Sequence, residues 1–232
     1  MKTTEMMKPS WLPNALVVVA SVIMFGGAVT GFVAPSLRDA PPFVTSDMEA
    51  VARGIAGNPA VWGWANTLIF VAAILTALAL VPITLRFPGR SVPWAATGLV
   101  AFALAAALET VGRLITIRVT IWAAPQYPDE IAVGLWEVLD RLRLGTVFYI
   151  LALVAIGLYG IALQRSDTKG WGSAFVAIAI VGVLLEAVGL GIPAYVYLAT
   201  AALAIATWKT DEPDSGDLAA RSPEFPEDER KT

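Results

Sequence analysis

Three ionisable residues stand where charge is most expensive, inside stretches that are otherwise almost purely apolar. They are Glu109 and Arg113 in "LETVGRL" and Glu186 in "LEAVGL". A carboxyl group in such a setting has to be paired or has to hold a proton. Glu109 has a partner one helical turn away, because Arg113 at i+4 falls on the same face. Glu186 has none, since its i+4 residue is Leu190. The spacing predicts that the planar, multidonor guanidinium of Arg113 bridges Glu109 and Glu186 from two helices. Asn66, Arg141 and Arg143 belong near the same membrane level and extend the network. Two kinds of chemistry are open to it. One is a static polar knot that fixes helix register; the other is a protonatable or ligand-facing site open to the outer side.

The elements that must hold these residues follow from composition. Of 232 residues, 57% are hydrophobic and only 15% are charged, which is the balance of a membrane protein. Six apolar runs approach the ~20 residues needed to cross a bilayer core: 12–34, 62–85, 94–117, 144–164, 172–191 and 193–208. The expected fold is therefore all-α, with six transmembrane helices occupying 11–209. Between them, "TSDMEAVARGIAG" opens with a capping box, and "YPDEIAVGLWEVLDRLR" has proline and acids at its start. Both carry an apolar stripe, so two amphipathic helices are expected on the outer side, near 45–57 and 128–142. Residues 210–232 hold eight acids against three bases and are expected to form a disordered acidic tail.

The two glutamates share more than their pentapeptide. Trp94 precedes Glu109 by fifteen residues, and Trp171 precedes Glu186 by fifteen. At 1.5 Å per residue, both carboxyls stand about 22 Å along their helices from the tryptophan. Fifteen beyond Trp11 lies Gly26, in "FGGAVTGF". The frame suggests three in-line hairpins, 11–87, 94–165 and 171–209, as in parallel repeats of transporters. Gly26, Gly27 and Gly31 are candidates for close helix packing, Gly27 and Gly31 forming a G-x-x-x-G.

Basic residues near helix ends favour both termini in the cytoplasm, with residues 1–10 inside, by seven Lys and Arg against five. The expected location is the plasma membrane. With no cysteine and no histidine, disulfides, thiol catalysis and the usual zinc and haem sites are excluded. No H-E-x-x-H, G-x-S-x-G, P-loop or dinucleotide fingerprint occurs, so neither catalytic residues nor a metal or cofactor are expected. Nothing points to nucleic acid. The expected partners are the lipid bilayer and a membrane protein or a second copy.

An outer segment, "MEAVARGIAGNPAVW", running into an apolar helix and followed by short basic inner loops, resembles the broad group of small six-helix bacterial membrane proteins. The resemblance implies an architecture and no activity. The expectation for function is a non-catalytic accessory, scaffolding or sensory protein held by the buried Glu/Arg network. The alternative is a small proton-coupled solute transporter using the outward-facing polar site.

Overall fold

The computed structural model describes residues 11–33, 57, 59–118, 134, 138, 144–166, 169–188 and 193–209. These form six helices and no strand: α1 (Leu12–Val33), α2 (Pro59–Thr84), α3 (Val92–Ile117), α4 (Leu144–Gln164), α5 (Lys169–Ala187) and α6 (Pro193–Lys209). Prolines mark several starts. Pro59 and Pro193 open α2 and α6, and Pro93 sits in the first turn of α3, where a missing N–H costs nothing. Five helices, α1 to α5, are long and apolar enough to cross a membrane, whereas the apolar part of α6, Tyr195–Trp208, is shorter. One boundary differs from expectation in a way that bears on the site. The fifth helix ends at Ala187, four residues before the expected 191. The expected amphipathic helices near 45–57 and 128–142, the residues 1–10 and the tail lie outside the described residues, apart from isolated positions.

Helices adjacent in sequence pack antiparallel along most of the chain. α1 lies on α2, α2 on α3, α3 on α4 and α4 on α5, but α5 and α6 meet only at an edge. α6 packs instead on α1, with a smaller contact to α4. The result is a ring of α1, α2, α3, α4 and α6, with α5 applied to the outside of α4. Burial follows that order: 56% of the α4 span is buried, against 22% of α5.

Small residues let the backbones approach. Ala72, Ala73, Ala105, Ala152 and Ala155 are fully buried where α2, α3 and α4 meet. A Cβ on Gly172 of α5 would stand 2.6 Å from the Gly160 carbonyl of α4, so those two helices touch through their main chains. The outward faces carry Val22, Leu78, Val100 and Leu184, all exposed. Such faces suit lipid and not water. The described helices are those of a multi-pass membrane protein.

Candidate functional site: a buried Glu–Arg–Asn cluster

Phe102, Ala105, Ala106 and Glu109 recur at i, i+3, i+4 and i+7 on α3, and all four are buried. That stripe faces the neighbouring helices and carries Glu109 inward, leaving it 2% exposed. Arg113 follows one turn later, with its side chain 12% exposed. Its Nε donates to Glu109 Oε1 at 2.8 Å, and Nη2 reaches the same oxygen at 2.7 Å. Its Nη1 donates to Oδ1 of Asn66 on α2, at 2.8 Å. Asn66 Nδ2 in turn donates to the Trp62 carbonyl at 2.8 Å. The amide is thus oriented by its own helix with its acceptor turned toward the arginine. Charge-assisted bonds of this kind are about twice as strong as neutral ones, and here they lock α2 to α3.

Two further helices close the cluster with aromatics. Tyr149 of α4 and Tyr197 of α6 both lie within electrostatic reach of Glu109 and Arg113. Their rings meet edge to face with centroids 6.5 Å apart, and Phe148 stands 5.0 Å from Tyr149. Tyr197 is 1% exposed, and its hydroxyl makes no hydrogen bond of good geometry to the protein. Neither tyrosine was singled out by sequence. The available signal was a polar-tipped ring inside an apolar run, which also describes an ordinary interfacial tyrosine.

Glu186 is not part of this cluster. The predicted Arg113 bridge to it does not form, because α4 stands between α3 and α5. The third contact of Arg113 goes to Asn66 instead. Glu186 is half-buried in the last turn of α5, with no hydrogen bond or ion pair among the described residues. Its aromatic neighbour is Tyr195, which donates a hydrogen bond to the Gly182 carbonyl at 3.1 Å. Arg141 and Arg143 lie outside the described residues.

The glycine expectations divide. A Cβ on Gly27 would come within 2.8 Å of Ile69 Cγ1 and 3.0 Å of the Ala65 carbonyl, so α1 and α2 do approach closely there. Gly26 is exposed, and a Cβ on it would meet nothing within 4 Å. One residue on, a helix has turned by about 100°, so adjacent glycines cannot share a contact. Gly31 lies in the last turn of α1.

A second polar cluster occupies the opposite end of the ring. Asn14 Nδ2 donates to the Ala204 carbonyl at 2.7 Å and to Thr207 Oγ1 at 2.9 Å. Arg86 Nη1 donates to Asn14 Oδ1 at 2.9 Å, so α1, α2 and α6 are clasped together. Nearby, Thr84 and Tyr159 share a hydrogen bond of 2.6 Å between α2 and α4, and Arg165 stacks 5.0 Å from the centre of the Trp94 ring.

Chemically, the Glu109–Arg113–Asn66 cluster is a neutral, internally paired unit that holds helices in place. It brings together no nucleophile and base, and no group of three or more metal-ligating acids occurs among the described residues. No protein family, curated protein or solved structure matches this chain.

Proposed function

We propose that this chain is a non-catalytic accessory, scaffolding or sensory protein of the plasma membrane, crossing it six times with both termini in the cytoplasm. The observation that carries the reading is the closure of the arginine: Arg113 binds Glu109 and Asn66 within the ring. A group so engaged is suited to fixing register and poorly suited to exchanging ligands or protons. The sixth crossing is supported by the packing of α6 on α1 and by the clasp at Asn14. At 1.5 Å per residue α6 spans about 26 Å, a shortfall that local thinning of the bilayer accommodates. An even number of crossings puts Arg86, Arg90 and Arg165 on the side of the N-terminus, in keeping with the positive-inside rule.

The competing reading is a proton-coupled carrier in which a buried carboxyl loads and unloads. Purified protein in liposomes separates the two. The proposed role gives no solute or proton flux in the wild type, and Glu109→Gln lowers the melting temperature. A flux that Glu109→Gln abolishes while the protein stays folded overturns the proposal and installs the carrier.

A further inference from the structure

One end of the bundle gathers positive charge. The Asn14 clasp joins the start of α1 to the ends of α2 and α6 through Arg86, Ala204 and Thr207. The bond between Thr84 and Tyr159 brings up the end of α4. Arg165, exposed at that end, stacks on Trp94 at the start of α3. Gln164 Nε2 donates to Ser173 Oγ at 3.2 Å, near the start of α5. Arg86, Arg90, Arg165, Lys169 and Lys209 therefore all fall at one level, each at a helix end, a helix start or the turn between α2 and α3. Among the described residues the acids are Glu109 and Glu186, and both lie in the far halves of their helices.

In sequence, residues 1–10 and the turn between α4 and α5 bring the count at this end to seven bases against two acids, Glu5 and Asp167. Residues 210–232 follow α6 directly and hold eight acids against three bases, an equal and opposite excess. Four of those acids, Asp211, Glu212, Asp214 and Asp217, come within eight residues of Lys209. Ring helices about 8–10 Å apart put no end more than about 16 Å from another, and an extended chain covers about 3.3–3.6 Å per residue, so about five residues reach any of them. Single exposed ion pairs contribute little. A short tether, however, holds a segment at an effective concentration on the order of millimolar, so several pairs act together. We infer that residues 211–217 dock on the cationic end of the bundle, over Arg86, Arg90 and Arg165, and shield those arginines from lipid headgroups. The juxtaposition depends neither on which side of the membrane that end faces nor on the accessory role.

The chain has no cysteine, so Ser215→Cys gives a single site for a nitroxide label inside the docking segment. The full-length protein is placed in vesicles of phosphatidylcholine, which carry no net charge, at low salt. The expected spectrum is that of an immobilised label. Arg90→Gln with Arg165→Gln, both at exposed positions, releases it. Molar salt also releases it, by shortening electrostatic screening to ~3 Å. A label whose mobility is the same under all three conditions overturns the docking and leaves the arginines to lipid headgroups. A second measurement covers a double arginine variant that fails to fold. In Arg90→Lys, a carbodiimide joins the new amine directly to any carboxylate touching it. The expected product, read by mass spectrometry, links position 90 to Asp211, Glu212, Asp214 or Asp217 and is lost in molar salt. Absence of that link at low salt, while the same amine couples to a soluble carboxylate, also overturns the proposal.

Discussion

Glu109 and Glu186 have almost the same five residues around them and stand fifteen residues from a tryptophan at the start of their helices. Their surroundings nevertheless diverge. α3 continues for two turns past Glu109, to Ile117, and is flanked by α2 and α4. α5 ends one residue past Glu186 and leans on α4 alone, apart from its edge contact with α6. Glu109 is consequently enclosed and must be neutralised, and Arg113 does so with Asn66 as its second anchor. Glu186 sits in the last turn of its helix, half-buried, and no described residue forms a hydrogen bond or ion pair with it. Equal spacing along a helix does not give equal depth in a bundle. What a buried charge requires is set by how many neighbours enclose it and how far its own helix continues.

The contrast can be broken most sharply at Arg113. Arg113→Leu leaves Glu109 buried and unpaired, and should cost about 3–5 kcal/mol of stability, seen as a collapse of folded yield or melting temperature. Removing both charges, as Glu109→Leu with Arg113→Leu, should cost less than Arg113→Leu alone, since no orphaned charge remains. If the double variant is the weaker one, the cluster is held by something other than the pair.

Asn66→Leu removes the acceptor on α2 and should cost about 1.5–3 kcal/mol, the range for a hydrogen bond to a charged group. Its signature is a loosened α2–α3 contact, read as faster hydrogen exchange in both helices. Gly172→Ala acts on the other side of the comparison. Its methyl would press on the Gly160 carbonyl and the Gln164 main-chain nitrogen as well as the Gln164 side chain, and overpacking should cost about 1–3 kcal/mol. Exchange should then accelerate in α5 while α3 stays protected; equal acceleration in both would mean that α5 is integral to the ring. Smallest of all, Glu186→Gln should shift stability by no more than about 0.5 kcal/mol. A large loss there would place Glu186 in a network that its present neighbours do not provide.

How far the sequence reaches can be read from particular residues. The helices announced themselves because an uninterrupted apolar run has few other uses, and five of the six C-terminal ends lie within a residue of expectation. The Glu109–Arg113 pair was equally accessible, being a contact within one helix at i+4. Asn66 was placed near the site by its position alone, but its bond to Arg113 needed α2 beside α3. Gly27 could not be told from Gly26, since only the direction of α2 decides which of two adjacent glycines is covered. Asn14, Thr207 and Tyr197 passed unnoticed for the same reason. Each is a single polar residue in an apolar run, and its meaning lies in what faces it from another helix.

Periodicity and hydropathy are properties of one segment, and by themselves they determined that the chain makes apolar helices and that Glu109 has an arginine within reach. Which helices become neighbours depends on the shapes of all six surfaces at once, on where alanine and glycine let two backbones touch. That packing placed α4 between α3 and α5, and so gave Arg113 to Asn66 rather than to Glu186.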